Sequence, residues 1–226
     1  MAGKDVKFST RNNESYDGYI SAPEGSAKAP GILLITAIFG TDDEMREAAD
    51  AYAKDGFLVY VPDVFWRTIP GPTADFLTAF KRYESFDRDQ GLKDMEDLLE
   101  AMRADPRCNG KVAMLGFCFG GLYAYLGAAR LGADAAGSYH GTMIGDYLGE
   151  VDKVKVPVSF HYGKDDPIVP LAEVAAVQKA FAGRANAEVT LHEGATHNFS
   201  MAKKDGYHPE VAKKSRDAVL KAFRAM

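Results

Sequence analysis

Short apolar runs alternate with longer helical patterns along most of this 226-residue chain, and this alternation limits the fold more than any other feature. It predicts the α/β class, with a mostly parallel central sheet of about eight strands flanked by helices. No internal repeat or low-complexity linker interrupts it, so we expect one domain over residues 1–226. Strands are predicted at residues 4–9, 15–22, 31–37, 57–61, 111–117, 133–139, 156–162 and 187–192. Helical segments are predicted at 41–55, at 73–104 with a break near 87–91, at 120–131 and at 209–225. The segment "TDDE" resembles a capping box and predicts Thr41 as the N-cap of the first helix.

Composition excludes several classes of function. Hydrophobic residues make up 46% and charged residues 26% of the chain, and the net charge is -5, so no basic surface for nucleic acid is expected. The apolar runs are too short to cross a bilayer, and the polar first ten residues lack a signal segment. With two cysteines a disulfide framework is excluded. We expect a cytoplasmic protein, a monomer or weak homodimer, with a small-molecule substrate.

The segment "GFCFGG" lies between a predicted strand and a predicted helix. Its spacing matches the Gly-x-nucleophile-x-Gly elbow of α/β-hydrolases, with Cys118 in the position of serine. Gly116 and Gly120 relieve crowding where strand and helix approach, and Gly121 adds more room. The helix N-terminus behind Cys118 favours the thiolate. The second cysteine, Cys108, is predicted in a surface turn.

A thiolate nucleophile needs a base, and the base needs an acid to orient it. In α/β-hydrolases the acid and then the histidine follow the nucleophile in the chain. Asp166, in "GKDDPIVP", is the better acid, with Asp165 as the alternative. His197, in "EGATHNF", has the right order and loop setting for the base. His140 ends a predicted strand. Its position supports a role in lining the pocket and a role in packing equally well.

These motifs, together with "AIFG" and "VPDVF", resemble the dienelactone hydrolase family over nearly the whole chain. The resemblance implies an α/β-hydrolase fold and hydrolysis of an ester or lactone through a thioester acyl-enzyme. It implies a triad of Cys118, Asp166 and His197. It also implies an oxyanion hole formed by the backbone N–H groups of Ile38 and Phe119. No metal and no organic cofactor is expected.

Two departures from the family pattern concern the activation of the cysteine and the binding of the substrate carboxylate. Ala37 stands where well-known members carry a glutamate that contacts the cysteine. Two arginines that hold the substrate carboxylate in the family correspond to Phe76 and Met201 here. The basic residues that could replace them are Arg67, Arg82, Lys203 and Lys204.

Three alternatives to a dienelactone hydrolase therefore stay open. One is a carboxylesterase or thioesterase acting on neutral or aromatic esters. The second is a non-catalytic protein of the same fold that binds a ligand, and the third is a thiol redox protein using Cys118. The aromatic residues near residues 65–83 form either a cover over the site or part of the core. The proposed substrate-binding residues are Ala37, Phe39, Trp66, Phe76, Tyr83, His140 and Met201.

Overall fold

The computed structural model describes residues 3–25 and 27–226. Eight strands form one sheet with the order β1-β2-β4-β3-β5-β6-β7-β8, which confirms the predicted α/β class with a mostly parallel sheet. The strands are β1 (Lys4–Ser9), β2 (Ser15–Ser21), β3 (Ala29–Ile35), β4 (Leu58–Pro62), β5 (Cys108–Phe117), β6 (Ala135–Tyr139), β7 (Val158–Gly163) and β8 (Ala187–His192).

The described part of the chain also forms six α-helices, and a 3₁₀ helix spans Ile144–Lys153. The chain divides into two compact units, the first ending at Val112 and the second starting at Ala113. A single domain over residues 1–226 stays a prediction. No helix among residues 3–25 and 27–226 is long and apolar enough to cross a membrane. The helices are α1 (Asp43–Lys54), α2 (Phe76–Glu84), α3 (Arg88–Ala104), α4 (Phe119–Arg130), α5 (Leu171–Phe181) and α6 (Pro209–Arg224).

The first unit holds the antiparallel part of the sheet. β2 pairs antiparallel with both β1 and β4, whereas β3 pairs parallel with β4. The four residues from Ile32 to Ile35 are fully buried, as expected for a parallel strand covered on both faces. This run is the apolar segment from which the strand was predicted.

Helix α1 begins one residue later than its capping pattern predicts. The N-cap is Asp42, whose side chain accepts a hydrogen bond from the Met45 N–H at 3.0 Å. The prediction of Thr41 as the N-cap is therefore wrong. The buried Thr41 hydroxyl instead donates to the carbonyl of Pro62 at 3.3 Å, a contact with the next strand that local sequence does not reveal.

Cys108 was also predicted wrongly. It starts β5 and is only 2% exposed, so it lies in the interior and not in a surface turn. The "DPRCNG" segment does contain the turn, because the Cys108 N–H donates to the carbonyl of Asp105. The strand begins at once after that bond, and the thiol packs inside.

The second unit carries the parallel pairs β5–β6, β6–β7 and β7–β8. Because parallel strands end at the same edge, the loops that follow β5, β7 and β8 emerge together. Those loops contain Cys118, Asp166 and His197. Helix α4, which follows β5, is buried from Phe119 to Ala128, and its small residues allow it to pack closely on the strands.

A buried arginine holds the loops of the first unit. Arg82, on α2, is fully buried and donates from Nε to the carbonyl of Ile38 at 2.7 Å. Its Nη1 donates to the carbonyls of Gly71 (2.6 Å) and Ile69 (3.3 Å). The guanidinium also lies 4.6 Å from the ring centre of Phe65. One side chain thus fixes the segment after β3 and the loop before α2.

We expect Arg82→Met to lower the free energy of unfolding by about 3 kcal/mol or more, because three carbonyls lose their donor. Urea denaturation followed by circular dichroism measures this. The control is Lys81→Met, since Lys81 is exposed on the same helix and its replacement is expected to change stability by less than about 0.5 kcal/mol. Equal stability of the two variants would contradict a structural role for the guanidinium.

Candidate active site

Cys118 occupies a strained turn between β5 and α4. Its backbone has φ 51° and ψ −114°, a region that side chains other than glycine rarely adopt. Its N–H donates to the carbonyl of Tyr139 at 3.0 Å, and its own carbonyl accepts from the N–H groups of Gly121 (2.9 Å) and Thr142 (3.2 Å). These three hydrogen bonds hold the strained conformation.

The glycines of the elbow are required by close backbone contacts. A Cβ on Gly116 would lie 2.0 Å from the carbonyl oxygen of Gly120. A Cβ on Gly121 would lie 2.4 Å from both Cα of Gly141 and Oγ of Ser138. Both distances are far below van der Waals contact, so the predicted steric role of Gly116 and Gly121 is confirmed.

The acid-bearing loop follows β7. Oδ1 of Asp166 accepts hydrogen bonds from the N–H groups of Ile168 (2.7 Å) and Val169 (3.2 Å). Oδ2 lies 2.7 Å from Nδ1 of His197, and the Asp166 side chain is 1% exposed. Between the two candidate acids, Asp166 is the one whose carboxylate meets the histidine, whereas Asp165 is exposed and its N–H donates to the carbonyl of Ala195.

The loop that carries His197 rests directly on the end of β7. A Cβ on Gly163 would lie 2.2 Å from the carbonyl oxygen of Ala195 and 2.6 Å from that of Thr196. The backbone of one segment therefore touches the backbone of the other. This contact sets the spacing at which Asp166 and His197 meet.

His197 carries a perturbed pKa. Burial lowers it, but the hydrogen bond with Asp166 and the interaction with the Cys118 sulfur outweigh burial and raise the pKa of His197 to about 9. The imidazole is therefore protonated at neutral pH. An imidazolium beside a cysteine stabilises the thiolate.

One sulfur and two ring nitrogens converge at this point. Sγ of Cys118 and one nitrogen each of His140 and His197 lie within 4.8 Å of one another. Nε2 of His197 is buried and makes no hydrogen bond that meets the distance and angle criteria within residues 3–25 and 27–226. Since Nδ1 faces Asp166, Nε2 is the nitrogen left for the sulfur or for a reacting group.

His140 lies in the cluster, although packing also shapes its setting. It is fully buried, and its ring centre is 4.4 Å from that of His197. Burial and the neighbouring His197 hold the pKa of His140 well below its usual range, so it stays neutral. Oγ of Ser200 lies 3.4 Å from its Nε2. Ser200 was missed in the sequence, where only its place three residues after His197 pointed to it.

The other predicted substrate-binding residues have varied surroundings. In the second unit, Met201 is 3% exposed. In the first unit, Phe76 is 59% exposed and stacks on Phe80, and Tyr83 contacts Phe80 as well. Trp66 stacks on Tyr16 at 4.9 Å. Ala37 is buried and the carbonyl of Phe39 accepts from the Thr73 N–H. Substrate contact by these residues stays a prediction.

The aromatic segment before and on α2 contains both core and surface residues. Phe65 is fully buried, so that residue belongs to the core. Phe76 and Phe80 are exposed, and the core alternative is wrong for these two positions. Ile38 lies in the loop after β3, and its use as an oxyanion donor also stays a prediction.

Both arginines considered as substrate clamps have partners within the first unit. Arg67 pairs with Glu14 at 3.0 Å and with Asp94 at 2.8 Å, and its guanidinium lies 3.9 Å from the ring centre of Trp66. Arg82 is held by the three carbonyls described above. Binding a substrate carboxylate would require either arginine to give up these contacts.

Known proteins of one family resemble this chain over most of its length. The model of the dienelactone hydrolase family matches residues 16–226. A carboxymethylenebutenolidase from Pseudomonas putida is 34% identical over 209 residues, covering 88% of this chain and 89% of the relative. A solved protein from Klebsiella pneumoniae, described as a candidate dienelactone hydrolase, superposes with a TM-score of 0.88 at 23% identity and full coverage of both chains. A dienelactone hydrolase-like promiscuous phosphotriesterase from metagenomic libraries gives 0.82 at 24% identity, covering 99% of this chain and 98% of that one. The chain belongs to the dienelactone hydrolase family.

Proposed function

We propose that this protein hydrolyses a carboxylic ester or lactone through a covalent thioester on Cys118, with His197 as the base and Asp166 as its orienting acid. The observation that carries the proposal is the 2.7 Å contact between Asp166 and His197 beside a half-buried thiol on a strained turn. An enzyme of this family acts on ester or lactone bonds, and the Pseudomonas putida relative is a carboxymethylenebutenolidase.

The reaction begins with attack of the Cys118 thiolate on the substrate carbonyl carbon. A C–S bond forms and negative charge develops on the carbonyl oxygen. Phe119, the first residue of α4, presents its N–H at the positive end of that helix, where such charge is stabilised. The resemblance to the family implies the Ile38 N–H as the second donor.

Collapse of the tetrahedral intermediate breaks the C–O bond, and protonated His197 gives its Nε2 proton to the leaving alkoxide. In a lactone the alcohol stays tethered to the acyl group. Neutral His197 then takes a proton from water, the hydroxide attacks the thioester, and the C–S bond breaks. The acid product leaves, and the thiolate–imidazolium pair is restored.

His197 protonation also offers a way to activate the thiol without the family glutamate. Ala37 has no group that could contact the sulfur. The raised pKa of His197 keeps a positive charge on a residue whose ring nitrogen lies within 4.8 Å of Sγ, and a neighbouring cation is a general means of activating a cysteine nucleophile. Activation in this chain therefore rests on the histidine.

Cys118→Ala is expected to lower kcat/KM for p-nitrophenyl acetate by at least about a thousandfold, as the loss of a nucleophile usually does. Cys108→Ala is the matched control, because it removes the other thiol, which lies at the opposite end of β5 from the elbow. Acid quenching of the wild-type reaction, followed by peptide mass spectrometry, is expected to find the acyl group on the Cys118 peptide. Activity that survives Cys118→Ala would contradict the proposal.

The pH profile tests the role of Asp166. Acylation needs His197 protonated, so kcat/KM is expected to fall as the pH rises through about 9. Asp166→Asn removes a contact that raises the pKa of His197, so the falling limb is expected to move towards lower pH. The pH profile of kcat/KM, corrected for spontaneous hydrolysis and recorded for both proteins, locates the falling limb in each. A limb that stays near pH 9 in the variant would show that Asp166 does not set the charge of His197.

The engagement of Arg67 and Arg82 favours a second candidate, an esterase for neutral or aromatic esters. Both arginines have partners in their own unit, and Phe76 and Met201 carry no charge. A substrate carboxylate therefore lacks an obvious cationic partner among the residues that the family pattern would assign.

We expect a higher kcat/KM for p-nitrophenyl butyrate than for its terminal carboxylate analogue, p-nitrophenyl hemisuccinate, because burying an unpaired carboxylate is costly. Steady-state kinetics on the two esters and on dienelactone measure this preference. Faster hydrolysis of the hemisuccinate or of dienelactone would instead support a carboxylate-binding site and a dienelactone hydrolase in the strict sense.

A further inference from the structure

His140 is a buried titratable residue that the proposed hydrolytic steps do not use. Its Nδ1 is buried with no hydrogen-bond partner among the described residues 3–25 and 27–226. A buried polar atom without a partner is uncommon in folded proteins and calls for an explanation. Nε2 of His197 is a second such atom, and both histidines have a ring nitrogen within 4.8 Å of the Cys118 sulfur.

The two imidazoles are held in place by contacts on their other sides. His197 directs Nδ1 to Asp166, which is the arrangement in which a carboxylate orients a metal-binding histidine. His140 donates its backbone N–H to the carbonyl of His161 at 2.7 Å, and its ring meets Phe199 edge-on at 5.8 Å. Fixed donors lose little freedom when a ligand binds, so this cluster is organised in advance.

The donor set has a definite chemical preference. One thiolate and two imidazoles suit Zn²⁺, whereas Mg²⁺ and Ca²⁺ prefer oxygen ligands. Zinc takes the place of the proton on His197 when it binds. In a tetrahedral zinc site with ordinary bond lengths, such donors lie roughly 3.3–3.6 Å apart. The observed upper limit of 4.8 Å exceeds this by about 1.2–1.5 Å, so the three side chains must draw together by at most that distance when the metal binds. Three protein ligands leave a fourth position for water.

We propose that Cys118, His140 and His197 form a Zn²⁺-binding site, and that bound zinc inhibits hydrolysis by occupying the nucleophile and the base. Sγ of Cys118, Nδ1 of His140 and Nε2 of His197 are the ligands, and Asp166 orients His197 from behind. The metal is an inhibitor and not a cofactor. Binding stands independently of the proposed function, whereas inhibition rests on it.

Isothermal titration of the full chain with Zn²⁺, after treatment with a chelator, tests the site directly. We expect saturable binding of one equivalent with micromolar or tighter affinity, and no binding of Mg²⁺. Cys118→Ser and His140→Asn are expected to weaken binding at least about tenfold, and Asp166→Asn roughly ten- to a hundredfold. Asn is chosen at position 140 because His140 has φ 42°, which Asn tolerates better than most residues. Cys108→Ser is the control and is expected to bind like the wild type.

Zinc X-ray absorption on the wild-type complex keeps the test independent of how the variants fold. We expect one sulfur at about 2.3 Å and two nitrogens at about 2.0–2.1 Å. Absence of saturable binding, absence of sulfur from the metal shell, or loss of binding only in Cys108→Ser would each overturn the proposal. Inhibition of p-nitrophenyl acetate hydrolysis by Zn²⁺, reversed by chelator, supports it further. An inactive wild-type protein that binds zinc as described would sink the hydrolase proposal and leave the metal site intact.

Discussion

The close approach of β5 and α4 is the constraint on which the site depends. At Gly116 the strand comes so near the helix backbone that not even a methyl group fits. That approach forces the intervening residue into a left-handed conformation, and Cys118 accepts it with φ 51°. The thiol is thereby lifted onto the first turn of the helix and towards the loops after β7 and β8. A more relaxed turn would leave the same cysteine as an ordinary buried thiol.

The elements that could be predicted are those that local sequence encodes. The predicted bounds of β8 agree with the structure, and the glycine spacing of the elbow indicated the turn at Cys118. The order of nucleophile, acid and histidine indicated which loops would carry Asp166 and His197. In each of these cases the pattern lies within a few residues of sequence. The topology of a parallel sheet then brings the loops that follow the strands to the same edge.

What could not be predicted depends on contacts between distant segments. Thr41 was expected to cap α1, but its hydroxyl reaches Pro62 on the next strand. Cys108 was assigned to a surface turn because the segment "DPRCNG" is typical of a turn before a strand, yet the residue is buried. The 3₁₀ helix over Ile144–Lys153 was missed. The pairing of His140 with His197 joins residues far apart in the chain, so the sequence left two roles open for His140.

The contact between Gly163 and the loop at Ala195 and Thr196 has a consequence for engineering. Because backbone touches backbone there, the loop that carries Asp166 and the loop that carries His197 cannot move closer together independently of each other. Libraries that vary side chains around the site can change which ester fits without loosening the pair, provided position 163 stays glycine. A single methyl group added at that position would push the two loops apart. It would thereby separate Asp166 from His197, although it touches neither side chain.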